Sequence, residues 1–118
     1  MQNHKPKFLK KLSDIIPETT AHGFGEKFVF RKNEEMPNAS KQVAYGHFKV
    51  GEACEEHTHP TMDEYFFFIS GEGTCIIEGV EYPLTCNTFL EISAGKKHSF
   101  HADKNKDLQF VYWGIATE

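Results

Sequence analysis

The sequence predicts an all-β sandwich or barrel preceded by a short N-terminal helix or arm. Three observations predict it. From Gln42 onward, short apolar or alternating runs follow one another, most of them closed by glycine, asparagine or proline. Only Phe8, Leu9, Leu12, Ile15 and Ile16 repeat at helical spacing, and Pro17 stops them. Between two strand-like runs, Glu78-Gly79 is a two-residue hairpin signal. Many short strands with one helix at most bury their apolar faces as packed sheets or a closed barrel.

Taken in order, residues 1–24 read as an N-terminal arm or short helix followed by a loop, and residues 25–118 as the β-barrel domain. Glu18 to Glu26, with two threonines and two glycines, is the loop. Lys27 to Arg31 is a short strand, and Asn33 to Ser40 a polar connection containing Pro37. Gln42 to Val50 alternates moderately. Tyr65 to Ser70 is unbroken aromatic and aliphatic sequence, which suggests a strand covered on both faces. If Glu64 points inward, Tyr65, Phe67 and Ile69 point outward and need a second layer or another subunit, so a homodimer is expected. Thr74 to Ile77 and Val80 to Leu84 flank the hairpin turn. Pro83 has no N–H to donate, which places the return strand at a sheet edge. Thr88 to Ile92, Ser99 to Ala102 and Leu108 to Ala116 complete the set.

Bulk properties narrow the function. A chain of 118 residues has room for one core. A net charge of −4, without a basic run interleaved with aromatics, favours neither nucleic acid nor an anionic membrane. No apolar stretch is long enough to span a bilayer, and the N-terminus does not read as a signal peptide. Three cysteines without a pairing motif argue against a disulfide framework and fit the cytoplasm. Cys75 and Cys86 are expected as small buried strand residues, and Cys54 as a surface residue near the barrel mouth.

The chemistry concentrates between Gly51 and Gly71. His57 and His59 are two apart, so on a strand they project to one side, at a spacing suited to two imidazoles meeting one ion at roughly 2.0–2.2 Å. Glu64 approaches from the next strand after the Pro60-Thr61-Met62-Asp63 turn. His98, in the turn Ser93-Ala94-Gly95-Lys96-Lys97-His98, is a fourth candidate. Three histidines and a carboxylate are mixed N/O donors of borderline softness. They suit one divalent ion per chain, Fe, Mn, Ni, Zn, Co or Cu, with two positions left open on an octahedral ion.

The same residues carry a family resemblance. Gly51, His57, His59, Glu64 and Gly71 are similar to the first motif of the cupin superfamily, G-x5-HxH-x(3,4)-E-x6-G. The second motif, G-x5-PxG-x2-H-x3-N, is matched at Gly95 and His98, while Asn87, Ser93 and Ala102 replace its first glycine, proline and final asparagine. The resemblance covers about residue 44 to the C-terminus. It implies a cupin-type double-stranded β-helix, or jelly-roll barrel, often dimeric, with His57, His59, Glu64 and His98 as metal ligands.

Alternation supplies candidates for the pocket wall. Phe66 and Phe68 share a face with Glu64, Phe100 shares one with His98, and Tyr112 one with Phe110. Core packing is the simpler account of the three phenylalanines. Tyr45, His47 and Tyr112 are better candidates for substrate contact, because buried phenol and imidazole groups need partners. His47 or Tyr45 is the candidate acid–base group. The expected function is an enzyme acting on a small polar substrate coordinated to the metal, of dioxygenase or isomerase type. The alternative is a non-catalytic barrel that binds a sugar or small acid.

Overall fold

The computed structural model describes residues 10–20, 25–36 and 39–118. The described residues hold ten strands: β1 Glu18–Thr19, β2 Glu26–Arg31, β3 Ser40–Phe48, β4 Ala53–His57, β5 Met62–Gly71, β6 Gly73–Ile77, β7 Val80–Leu84, β8 Thr88–Ile92, β9 His98–Ala102 and β10 Leu108–Ala116. They form a six-stranded sheet in the order β1-β2-β3-β10-β5-β8 and a four-stranded sheet in the order β4-β9-β6-β7. All pairings are antiparallel.

The two sheets close over an aromatic core because each strand alternates. Along β5, Glu64, Phe66 and Phe68 are buried, while Tyr65 and Phe67 are half-exposed on the opposite face. Phe66, Phe68, Phe110 and Phe48 from the large sheet meet Cys54, Cys75, Leu84 and Phe100 from the small one. Phe66 lies 5.0 Å from Phe100 and 5.9 Å from Phe110, centroid to centroid, an aromatic spacing that adds to simple area burial. Gly46 makes this possible on β3: a Cβ there would sit 2.4 Å from the Phe110 ring.

Several sequence expectations meet their structure here. The hairpin turn has Glu78 at φ 49° and Gly79 at φ 80°, the left-handed pair that a two-residue turn of this hand requires. Pro83 lies on β7, the edge strand of the small sheet. In place of a short helix over Phe8 to Ile16, the described part of that stretch holds a single 3-10 turn at Leu12–Asp14; residues 1–9 lie outside the described residues. The segment read as a loop from Glu18 contributes β1, which extends the large sheet by pairing with β2 at two residues. The cysteine expectations need correction. Cys75 is buried, but Cys86 is exposed in a turn, and Cys54 is buried rather than at the surface.

Candidate metal centre

The four expected ligands converge. One ligand atom from each of His57, His59, Glu64 and His98 lies within 4.8 Å of the others. β4 and β9 pair so that His57 stands opposite His98. β4 ends at His57, so His59 is held by the following loop rather than by strand alternation. That loop is pinned to the turn before His98: the Gly95 N–H donates to the His59 carbonyl at 2.9 Å. The Ala94 N–H donates to the Asp63 carboxylate at 2.7 Å, which ties the start of β5, and thus Glu64, to the same turn.

The irregular second motif forms this turn region without its usual residues. Asn87 adopts φ 67° and Gly95 φ 85°. Asparagine is among the few residues that enter the left-handed region readily, so it fills the place of the motif's first glycine.

The donor atoms are prepared for a cation. His57 Nδ1 lies 2.8 Å from the Glu55 carbonyl, and His98 Nδ1 lies 2.9 Å from the Lys96 carbonyl. A carbonyl can only accept, so each Nδ1 carries the proton and each Nε2 presents a lone pair. His59 Nε2 is 3.3 Å and His98 Nε2 3.4 Å from Glu64 Oε1. Yet the buried Glu64 Oε1 and His98 Nε2 have no hydrogen-bond partner. A buried carboxylate oxygen and an imidazole lone pair aimed at one point are costly unless a cation sits between them. The residues therefore fit a divalent ion.

A cavity of about 200 Å³ adjoins the cluster, with His57, His59 and Glu64 in its wall. Phe66, Phe100 and Tyr112, three of the expected pocket residues, line it together with Phe110. Phe68 stands apart: it is fully buried in the core and does not reach the cavity. Burial, and then the nearby Glu64 carboxylate, push the Tyr112 hydroxyl well above the ordinary tyrosine range. Tyr112 thus remains a phenol that can donate a hydrogen bond.

Tyr45 and His47 are placed differently. Ala44, Gly46 and Phe48 take the buried positions of β3, so Tyr45 and His47 occupy its outer face. There the Tyr45 hydroxyl donates to Gln109 Oε1 at 2.6 Å, Gln109 Nε2 donates to Asp107 at 2.8 Å, and His47 Nε2 lies 2.9 Å from the same carboxylate. The Gln109 and His47 contacts hold the Asp107 carboxyl below its usual range, against the opposing effect of its partial burial. His47 also borders the cavity, but the imidazole is engaged by Asp107 and is not part of the metal cluster.

Cys54, which spacing alone did not place at the centre, lines the cavity with its thiol 3.5 Å from His57 Nδ1. Burial and the charges of Glu64 and Glu55 push this thiol up to about 11. The signal available in the sequence was its position three residues before His57.

Comparison with known proteins agrees with this geometry. The family model described as "Cupin domain" matches residues 44–114, more than half of the chain. The chain belongs to the cupin family. No curated protein matches it. Among solved structures, this cupin is similar to a predicted oxalate decarboxylase from Thermotoga maritima, with 24% identity, 92% of this chain and 98% of that chain covered, and a TM-score of 0.82. KdgF from Halomonas sp. is similar at 12% identity over 87% of this chain and 90% of that one, with a TM-score of 0.70. The cupin domain of Schizosaccharomyces pombe Cnp3 matches at 8% identity over 90% and 72%, with a TM-score of 0.76. At these identities the likeness shows the fold. No helix among the described residues is long and apolar enough to cross a membrane.

Proposed function

We propose that this cupin is a divalent-metal-dependent enzyme acting on a small polar substrate whose oxygen atoms coordinate the ion. The observation that carries the reading is the pair of buried atoms, Glu64 Oε1 and His98 Nε2, without a protein partner beside a cavity. An ion held by His57, His59, Glu64 and His98 supplies a Lewis acid and a template with open positions. The chain supplies the rest. The Glu55 and Lys96 carbonyls orient the imidazoles of His57 and His98. Phe66, Phe100 and Phe110 exclude water from the carbon skeleton of the substrate. The Tyr112 hydroxyl, kept protonated, donates to a substrate oxygen and is the group placed to lend it a proton. Tyr45 and His47 hold β3 to β10 through Gln109 and Asp107, and no proton step is assigned to them.

A dioxygenase or an isomerase reaction fits such a centre. The relative described as a predicted oxalate decarboxylase adds a small dicarboxylate to the substrates worth testing. Elemental analysis of protein purified without an affinity tag should find about one divalent ion per chain. Unchanged metal content after His57→Ala plus His98→Ala would sink the site as drawn. Oxygen uptake by the iron-loaded protein with small phenols, diketones and thiols identifies an oxygenase. Carbon dioxide release from oxalate identifies a decarboxylase, and interconversion of small sugars an isomerase. Saturable binding by the metal-loaded protein with no turnover in any of these would replace the enzyme with a sugar- or acid-binding module.

A further inference from the structure

The cavity beside the metal cluster has a second polar end, built from Lys27 on β2 and Gln42 on β3. Alternation turns both side chains inward. On β2, Phe28 faces outward and its ring meets Tyr45 on the outer face at 5.5 Å, so Lys27 points into the barrel. Its register partner on β3 is Gly46, which also faces inward. Gln42 shares that inward face with Ala44 and Gly46, and its main-chain N–H donates to Asn33 Oδ1 at 2.7 Å, which fixes the start of the strand. β3 bulges after Val43, and Gln42 there lies across Gly114 from Glu64, roughly two strand spacings or 10 Å away.

Neither group is engaged: among the described residues, the Lys27 ammonium and the Gln42 side-chain amide have no hydrogen bond or ion pair. Glu18 stands opposite Lys27 on β1, but it is exposed and forms no ion pair with it. Of the acids lining the cavity, Glu64 belongs to the metal cluster and Glu26 turns to the outer face, 3.9 Å from His47. A half-buried ammonium in a wall rich in phenylalanine is costly without a counter-charge. We propose that Lys27 and Gln42 form the anion end of the substrate site, binding a carboxylate at the far end of a short carbon chain whose near end coordinates the ion. Given a metal-dependent centre as proposed above, on which this depends, the substrate class becomes a short acid with an oxygen function at each end. One ammonium and one neutral amide match a single negative charge, each donating to one carboxylate oxygen, whereas a phosphate dianion would keep a charge uncompensated. The rings of Phe66, Phe100 and Phe110 suit methylene groups and cannot hydrogen-bond the hydroxyls of a sugar. At about 200 Å³ the space lies below the roughly 300 Å³ at which sites for drug-sized ligands begin, so the chain is short. With a divalent ion bound, Lys27 adds to a cavity already positive beyond what Glu64 offsets, so a doubly charged acid suits it better than a singly charged one.

The test is isothermal titration of the full chain, loaded with divalent nickel and desalted. The probes are malonate, succinate, glutarate and adipate, each beside the monoacid of the same length. Nickel content by elemental analysis accompanies every variant. In the parent, the diacid whose length fits two fixed anchors should bind about tenfold more tightly than its monoacid. Lys27→Met should reduce that preference to about twofold or less, and Gln42→Leu should reduce it by about threefold, both with nickel content unchanged. If Lys27→Met loses nickel, the site has not folded, and Gln42→Leu decides. Glu18→Gln removes the acid opposite Lys27 and should leave the preference intact. Three results would overturn the anion end alone: a parent that holds nickel but prefers no diacid, a preference that survives both Lys27→Met and Gln42→Leu, or its equal loss in Glu18→Gln, which would make Lys27 a strut for β1. A parent that holds no nickel overturns the metal-dependent reading instead, and with it any substrate that spans the two ends.

Discussion

Glu64 Oε1 and His98 Nε2 are the two atoms on which the site depends, because both are buried and neither has a partner. Glu64→Gln keeps the shape of the side chain, removes its charge and offers an amide N–H to the His98 lone pair. Metal content should fall by about tenfold, while the apo protein should melt no lower than the parent, since the substitution relieves an uncompensated buried charge. Elemental analysis and thermal melts in chelator check both halves; retention of the ion by the variant would refute the assignment. The thiols make a second prediction. Burial pushes Cys54 up to about 11 and Cys75 up to about 12, against an ordinary value of 9.0. Between the ordinary and the raised values the folded state binds more protons than the unfolded chain. The stability contributed by the neutral thiols is therefore complete below pH 9.0 and is lost as pH rises through about 11 and 12. Melting temperature should fall more steeply above pH 9.0 in the parent than in the Cys54→Ala, Cys75→Ala double variant. Exposed Cys86 should be the thiol that reagents modify first in the folded protein.

At the scale of elements, the turns and small residues decide which faces meet. Gly71 ends β5 at φ 86°, and a Cβ there would lie 1.7 Å from the Asp107 carbonyl oxygen. Both the backbone conformation and the contact exclude a side chain, and the opposing atom is main chain that cannot swing away. Gly71→Ala should cost about 3 kcal/mol by urea denaturation, well above a simple glycine-to-alanine effect. Much of this architecture was legible in the sequence: alternation places Phe66 and Phe100 inward, the Glu78-Gly79 pair its hairpin and Pro83 its edge. The four candidate ligands were legible because their spacing is local or carried by a turn. What alternation leaves open is which of the two faces is the inner one. On β3, Gly46 is the inward residue beside Phe110, since only an absent side chain leaves room for that ring, and of the polar pair on the other face His47 borders the cavity while Tyr45 does not line it. The burial of Cys54 depends on β4 lying against β9, and the position of His59 on the hydrogen bond from Gly95. Both are contacts between segments far apart in sequence, and no local pattern encodes them.

For the whole molecule, the candidate metal centre would also act as a structural clamp. The four donors come from β4, the loop after it, β5 and β9, so an ion held by them would join the large sheet to the small one. Without it, the folded state leaves a buried carboxylate oxygen and a buried imidazole nitrogen without a hydrogen-bond partner. The unfolded chain keeps both in water. Binding therefore favours the folded state, which alone brings the four donors together, and relief of that buried arrangement is part of the affinity. An ion at a hundred times its dissociation constant should add about 2.7 kcal/mol, which for a domain of this size raises the melting temperature by roughly 10 °C or more. Ion added to the apo protein should produce this shift and chelator should reverse it. The gain should be absent from the His57→Ala, His98→Ala variant, whose own melt is insensitive to chelator. A parent whose melting temperature ignores both ion and chelator would mean that the four donors close on nothing, whatever activity the protein has. Because the readout is stability, it separates an empty cluster from a loaded centre that has merely not met its substrate.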